Sequence, residues 1–127
     1  MAENVLLNAG FGGDTIAAHS IGNVKYQVIQ IGGDYETVAA SQTAQVLGAT
    51  GAVGDFISGI LVVPATTSPG NVLLLDGATS ITVFTGGGSS VSNLVPFLIP
   101  LCMVSVSGSW KITTGSDVSV IGIGNFT

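Results

Sequence analysis

The chain has 127 residues and a mass of 12.6 kDa, the size of one domain with its own core. Lys25 and Lys111 are the only basic residues, and the formal net charge is -5, which excludes nucleic acids and anionic membranes as expected partners because both are bound through clustered Lys and Arg. Only 7% of the residues are charged and 46% are hydrophobic, too few charges for the surface of a free monomer, so we expect a homo-oligomer.

The first part of the chain, up to residue 47, combines an unpatterned segment with three short predicted elements. Residues 1–20 show no clear periodicity and are predicted to form an extended N-terminal arm, with the folded domain over residues 21–127. The first strand is predicted over residues 24–31, where apolar and polar positions alternate. One helical turn is expected within residues 34–45, and a short strand is expected over residues 43–47.

Three further strands are predicted in the middle of the chain, over residues 56–63, 72–75 and 80–85. They are rich in Val, Ile and Leu and are separated by Gly, Pro, Asp and Asn turn residues. Residues 56–63 are apolar on both faces, which predicts a strand that is central in its sheet or covered on its outer side.

The strongest strand pattern covers residues 102–114. Apolar residues occupy the even positions, and polar residues occupy most of the odd ones. This alternation predicts that one face points into the core; its members are Cys102, Val104, Val106, Trp110 and Ile112. The run is long for one strand, so it predicts either two strands or one strand bent near Gly108. A turn and a last strand, over residues 118–126, follow.

These short, regularly spaced strands predict an all-β fold with one domain. An antiparallel β-sandwich or jelly roll is the expected architecture, with a small barrel as the other way to close such strands. Residues 77–110 carry no charge, but Pro96 and Pro100 interrupt them and no run of about 18 apolar residues occurs. We therefore expect no membrane-spanning segment.

The most conspicuous motif is Gly48-Ala-Thr-Gly-Ala-Val-Gly54, which has the glycine spacing of a dinucleotide-binding loop. Such a loop must open a helix whose N-terminus binds the pyrophosphate. The residues that follow, from Asp55 to Pro64, are strand-like instead. The sequence favours a glycine-rich connection between strands, and no cofactor is expected.

Candidate catalytic and metal-binding residues are scarce. His19 is the only histidine, and no sequence context pairs it with Ser20 or Ser41 as a nucleophile. Cys102, the only cysteine, lies in an apolar run and is predicted to be a buried hydrophobic residue, so one His and one Cys cannot complete a zinc site. We expect no catalytic, cofactor-binding or metal-binding residues and no enzyme activity.

The acidic side chains lie mostly in predicted turns, where aspartate caps its own backbone; they are Glu3, Asp14, Asp34, Glu36, Asp55, Asp76 and Asp117. Calcium held between loops of neighbouring subunits is the functional alternative, although no Asp-x-Asp spacing favours it. Three aromatic residues, Tyr26, Tyr35 and Trp110, have the side chains that stack on sugars. Trp110 lies on the apolar face of its strand and is predicted to belong to the core.

Several segments resemble small virion structural proteins of tailed bacteriophages. Among them are Ser80-Ile-Thr-Val-Phe84 and Val95-Pro-Phe-Leu-Ile-Pro100. The resemblance extends over residues 21–29, 54–70, 109–115 and 118–121. It implies a β-sandwich or jelly-roll protein on the particle surface, of the head decoration or cement type, and carries no active-site residues.

The resemblance also implies a partner and a location. The expected function is to decorate and stabilise a capsid through apolar and backbone contacts with the major capsid protein or another virion protein, as a homo-oligomer and specifically a trimer. Synthesis in the host cytoplasm is expected because the first residues lack the basic start of a secretory signal. The alternative is a receptor- or glycan-binding module of a phage tail.

Overall fold

The computed structural model describes residues 33–127 in full and, before them, the backbone of strands within 2–6, 15–21 and 24–27. By its internal contacts the chain divides into two compact units, Met1–Gly32 and Gly33–Thr127. This division lies after residue 32, whereas the sequence placed the start of the folded domain at residue 21.

The first unit contains a three-stranded antiparallel sheet in the order β1-β2-β3. Its strands are β1 (Ala2–Leu6), β2 (Thr15–Ile21) and β3 (Val24–Gln27). Residues 1–20, expected to be an unpatterned arm, thus contribute β1 and most of β2, which pair along their length. The predicted strand over residues 24–31 is present as β3, and residues 28–31 lie outside the described part.

The second unit contains eight strands in two four-stranded antiparallel sheets, and no helix occurs within residues 33–127. The β4 sheet has the order β4-β11-β6-β9, and the β5 sheet has the order β5-β10-β7-β8. The strands are β4 (Asp34–Val38), β5 (Gln45–Val46), β6 (Phe56–Pro64), β7 (Val72–Asp76), β8 (Thr79–Phe84), β9 (Phe97–Val104), β10 (Trp110–Thr114) and β11 (Val118–Asn125).

The order of pairing is that of a jelly roll. The first strand of the unit pairs with the last, β4 with β11, and the next pairs inward are β5 with β10, β6 with β9 and β7 with β8. These four pairs form one long hairpin that rolls up, so that β11 also pairs with β6 and β10 with β7. The predicted all-β sandwich is confirmed, and the pairing specifies its topology.

The core lies between the two sheets and is built by alternation along their strands. In β7, β10 and β11 every second residue points inward, which is the period of an extended strand, and β6 does the same on either side of an irregularity at Gly59–Ile60. The buried apolar residues are Val38, Leu47, Ile57, Ile60, Val62, Val72, Leu74, Trp110, Ile112, Val118 and Val120. Among the described residues, no buried side-chain N or O atom lacks a hydrogen-bond partner.

The predicted strands over residues 56–63, 72–75, 80–85 and 118–126 are all present, within two residues at each end. Strand β6 is central, between β11 and β9, as its two apolar faces predicted. The helical turn expected within residues 34–45 is wrong. Residues 34–38 form β4 instead, because pairing with β11 gives their backbone N–H and C=O groups hydrogen-bond partners.

The inward face predicted for residues 102–114 is correct at Trp110 and Ile112 and wrong before them. Cys102, Val104 and Val106 are exposed, whereas Ser105 is buried. The chain leaves the β4 sheet after β9 and enters the β5 sheet at β10. The inward positions are odd in β9 and even in β10, because the crossing between the two sheets changes the alternation.

Candidate interaction surface

The outer face of the β4 sheet is largely apolar, with outward apolar residues on all four strands. One row of directly opposed residues runs Thr37, Ile121, Leu61 and Leu98, from β4 to β9. Opposed residues in antiparallel strands share a face, so their side chains lie side by side. A parallel row contains Tyr35, Ile123, Gly59 and Pro100.

We call this surface the apolar face and define it by eight outward residues: Tyr35, Phe56, Leu61, Val63, Leu98, Val104, Ile121 and Ile123. Tyr35 is 74% exposed, Leu98 56% and Val104 53%. The outward positions of these four strands include no Asp, Glu, Lys or Arg. An antiparallel sheet ordinarily carries polar residues on a solvated face, so this uncharged and largely apolar face is a candidate contact surface.

The outer face of the β5 sheet is more polar. Lys111 lies there, opposite Val46 on one side and Leu75 on the other, and Thr113 lies opposite Leu73. The outward residues of β8, Ser80 and Thr82, carry hydroxyl groups. The two outer faces therefore differ in polarity, and the apolar one is the better candidate for contact with another protein.

The edge of the apolar face at β9 is shaped by a bulge. The three residues of β9 between Ile99 and Met103 lie opposite only two residues of β6, those between Ile57 and Ile60. Cys102 adopts a φ of 53° here, and its thiol lies 3.8 Å from the carbonyl oxygen of Ser58. Cys102 was predicted to be buried, but it shares the outward parity of Leu98 and Val104 in β9 and is exposed.

Asp55 fastens one end of the sandwich. Its carboxylate accepts hydrogen bonds from the backbone N–H of Ala52 at 3.0 Å, and from the N–H and hydroxyl of Thr127 at 3.0 and 2.6 Å. Its carbonyl oxygen accepts bonds from Trp110 Nε1 at 2.8 Å and from the N–H of Ser105 at 2.9 Å. One residue thus joins the core tryptophan to three separate segments.

Asp76 holds the crossing between β9 and β10. It is only 7% exposed, and its carboxylate accepts hydrogen bonds from the N–H groups of Val106, Ser107 and Gly108 at 3.0 to 3.3 Å. Asp76 was expected to cap its own turn, but its partners lie about thirty residues away along the chain. The exposed Val106 is held in place by this carboxylate.

Both carboxyl groups have lowered pKa values. Burial by itself raises the pKa of Asp55, but the hydrogen bonds from Thr127 and Ala52 outweigh it. Burial likewise raises the pKa of Asp76, and the three N–H donors of residues 106–108 outweigh it. Each carboxylate therefore stabilises the fold while it is ionised.

We expect the free energy of unfolding to fall as pH decreases below about 4, the ordinary Asp value. A pKa that is lower in the folded state contributes stability above the unfolded-state value, and this contribution is lost as pH falls through the folded-state value. Urea denaturation at neutral pH and at a series of acid pH values measures the effect. An Asp55→Asn/Asp76→Asn variant should show a weaker dependence on pH, and an equal dependence would contradict the assignment.

The glycine segment from Gly48 to Gly54 is a connection between β5 and β6. Glu36 accepts a hydrogen bond from Gly48 N–H at 2.6 Å, and the carbonyl oxygen of Thr127 accepts bonds from Thr50 and Gly51 at 3.0 and 2.9 Å. Protein oxygens therefore already bind the N–H groups that a phosphate would need. A strand follows, as predicted, and not the helix of a dinucleotide site.

The remaining candidate residues are dispersed or lie outside the described side chains. The side chains of Glu3, Asp14, His19, Ser20 and Tyr26 are outside the described part. Trp110 is buried, as predicted, and Ser41 lies in a turn with a φ of 59°. Within the described residues, no three His, Cys, Asp or Glu side chains lie close enough together to hold a metal ion.

A shallow cleft of about 370 Å³ lies beside the connection from β8 to β9 and is lined by residues 90–93 and 95–97. The connection is fastened to the preceding loop by bonds from Gly87 N–H to the Pro69 carbonyl and from Ser89 N–H to Ser68 Oγ. The lining offers hydroxyl groups, the Asn93 amide and apolar surface, but no charged side chain.

Comparison of the chain with protein-family models, with curated proteins and with solved structures finds no match. Within the part of the chain that the structure describes, there is no helix long and apolar enough to cross a membrane.

Sequence reasoning did not identify the apolar face or the two structural carboxylates. One signal was available for the face, since residues 56–63 are apolar on both sides. The alternation in residues 118–126 was also apolar on both sides, through Val120 and Ile121. No local signal identifies the partners of Asp55 and Asp76, because those partners are distant in sequence.

Proposed function

We propose that this chain is a structural, non-enzymatic protein of a bacteriophage virion that decorates and stabilises the capsid. The observation that carries the proposal is the apolar face, a four-stranded sheet surface with no charged outward residue. The resemblance of several segments to phage structural proteins is the reason for proposing a phage virion as the particle. The jelly-roll fold agrees with this role but is shared by proteins of many functions, so it adds little.

Burial of the apolar face supplies the free energy of attachment. Apolar surface contributes about 25 cal/mol per Å² when it leaves water, before the cost of association is subtracted. A single decoration site need not bind tightly, because the contact is repeated over the particle. Repetition of the contact over many capsid sites adds avidity, which suits a protein that covers a particle.

The proposed partners are other copies of this chain and the major capsid protein or another virion protein. A trimer is the oligomer that the resemblance implies. Contacts that are apolar and uncharged depend little on ionic strength, because there are few charges for salt to screen. Attachment should therefore persist in molar salt, whereas a charge-driven interface would dissociate.

Leu98→Glu should weaken attachment to capsids at least tenfold. Leu98 lies on the apolar face and is 56% exposed, so the substitution leaves the core unchanged but places a charge in the contact. Val53→Glu is the matched control, since Val53 is 62% exposed in the connection before β6 and lies off the face. Co-sedimentation of each purified variant with particles that lack the protein measures binding.

The proposal is contradicted if purified particles carry no copies of the chain, or if Leu98→Glu and Val53→Glu bind equally well. Weaker binding of Leu98→Glu but not of Val53→Glu supports it. Attachment of the unmodified protein that persists in molar salt also supports it. Circular dichroism of both variants checks that the strands are intact.

A receptor- or glycan-binding module of a phage tail is the second candidate. The exposed ring of Tyr35 favours it, because tyrosine stacks on sugars. This function requires location at the tail tip and binding to host cells. Immunogold labelling of particles distinguishes the two candidates, since decoration places the label over the head.

A further inference from the structure

The connection between β8 and β9, over residues 85–96, is the longest in the jelly roll. It has twelve residues, whereas the other connections of this unit have two to nine. Loops of about 12–15 residues without secondary structure are uncommon in compact domains and are usually either functional or disordered. This one is tied to the preceding loop by the bonds of Gly87 and Ser89 and by Val91 N–H, which donates to the Thr67 carbonyl at 3.3 Å. An ordered loop of this length favours a function.

Backbone strain is concentrated in the same group of loops. Five non-glycine residues of the described part have a positive φ, and four of them lie in connections of the second unit: Ser41, Ala44, Ser89 and Asp117. Backbone hydrogen bonds link these connections in series, from residue 41 to 115, from 70 to 116 and from 87 to 69. A left-handed conformation costs a non-glycine residue free energy, and such residues persist mainly at active sites and ligand-binding loops.

The cleft beside this connection has an uncharged lining of two kinds. One part consists of exposed hydroxyl and amide side chains, those of Ser90, Ser92 and Asn93. The other part is apolar and includes Val95 and Phe97, whose ring packs against Phe84 at an angle of 63° with 5.4 Å between the ring centroids. The volume of about 370 Å³ lies within the range of small-molecule sites, about 300–1,000 Å³.

We propose that this cleft binds a neutral carbohydrate. A sugar presents hydroxyl groups that both donate and accept hydrogen bonds, as the serine hydroxyls of the lining do. The Asn93 carbonyl oxygen accepts from Val95 N–H at 3.2 Å, which orients the amide and leaves its nitrogen to donate to a ligand. The C–H face of a sugar is apolar and packs on an aromatic ring, here that of Phe97, and on Val95.

Other ligand classes fit this lining less well. An anionic ligand has no Lys or Arg partner and a cationic ligand has no carboxylate partner, because no charged side chain lines the cleft. Main-chain hydrogen bonds supply much of the affinity for an extended peptide. In this connection the N–H groups of residues 87, 89, 90, 91 and 95 are already bonded to protein oxygens. The groups that remain for a ligand are hydroxyl, amide and apolar side chains, the combination that suits a sugar.

This site is separate from the surfaces on which the proposed function rests. It lies in the connection after β8, whereas decoration uses the apolar face and the tail-module candidate rests on Tyr35. The inference therefore goes beyond the proposed function, because it holds whether or not the protein attaches to a particle.

Titration of the isotope-labelled protein with sugars, followed by heteronuclear NMR, tests the site. The probes are maltotriose, mannotriose, lactose and triacetylchitotriose, all of which are neutral. At least one of them should give saturable shifts, and these shifts should be largest at the amides of residues 87–97. The uncharged peptide acetyl-Ser-Pro-Val-amide, titrated in parallel, should give no saturable shift there.

Two double variants make the same chemical change inside and outside the cleft. Ser90→Ala/Ser92→Ala removes two hydroxyl groups from the lining and should weaken binding of the sugar about tenfold, as expected for the loss of two hydrogen bonds. Ser107→Ala/Ser116→Ala removes two hydroxyl groups from exposed loop serines outside the lining and should bind the sugar as the wild type does.

The inference is overturned if none of the sugars gives saturable shifts, if the shifts lie outside residues 87–97, or if Ser90→Ala/Ser92→Ala binds as tightly as the wild type. Saturable shifts from the peptide at the same amides would also overturn it. Capsid attachment is measured separately through Leu98→Glu, so the carbohydrate site and the decoration function fail independently.

Discussion

Trp110→Ala should destabilise the fold by about 3–5 kcal/mol, the range for removal of a large buried aromatic side chain. The indole is 2% exposed and lies between the sheets, and Nε1 donates to the carbonyl oxygen of Asp55 at 2.8 Å. The substitution removes core contacts and leaves a cavity that a rolled sandwich cannot close without moving both sheets. Urea unfolding followed by far-ultraviolet circular dichroism measures the loss.

Two neighbouring variants make the Trp110 result specific. Lys111→Ala changes the next residue on the outer face and should cost less than about 1 kcal/mol, as is usual at surface positions. Trp110→Phe keeps an aromatic ring but removes the donor, and the Asp55 carbonyl keeps its bond from Ser105. The stability lost in Trp110→Phe should lie between the losses in Trp110→Ala and Lys111→Ala. Equal losses for Trp110→Ala and Lys111→Ala would contradict the strand assignment.

Asp76→Ala should destabilise the fold by about 2–4 kcal/mol, because hydrogen bonds to charged groups are stronger than neutral ones. The substitution leaves the N–H groups of Val106, Ser107 and Gly108 without the carboxylate that binds them. The crossing from β9 to β10 should loosen most. Urea unfolding measures the global effect, and hydrogen exchange of residues 106–108 measures the local one.

Asp117→Asn and Asp76→Asn make the same chemical change at two positions and serve as a matched pair. Asp117 is exposed in the turn before β11 with a φ of 58°, a conformation that asparagine tolerates well. We expect a negligible effect at Asp117 and a clear loss at Asp76, since an amide cannot replace a carboxylate that accepts several bonds. Rapid exchange of residues 106–108 in the wild-type protein would contradict the role of Asp76.

The sequence by itself determined the fold class and most strands. Branched side chains that alternate with polar ones, between glycine and aspartate turns, are compatible with an extended backbone and little else. The inward positions of Trp110 and Ile112 and the central place of β6 follow from the same local periodicity.

Only the tertiary structure decided which sheet each strand joins. The pattern over residues 102–114 continues through the crossing at Ser105, where the chain passes from one sheet to the other. Buried Ser105 donates to the Ala52 carbonyl and accepts from Gly54, so a polar residue occupies an inward position. Periodicity shows which residues of one strand share a face. It cannot show that the chain has passed to the other sheet, where the other set of alternate residues faces the core.

The apolar face likewise depends on the tertiary structure. Tyr35, Ile121, Leu61 and Leu98 lie on four strands that are distant in sequence, and only pairing of those strands brings them onto one face. Asp76 likewise meets residues 106–108 only because β7 pairs with β10. Local patterns specify extended strands, whereas the composition of a sheet face and the partners of a carboxylate depend on which strands pair.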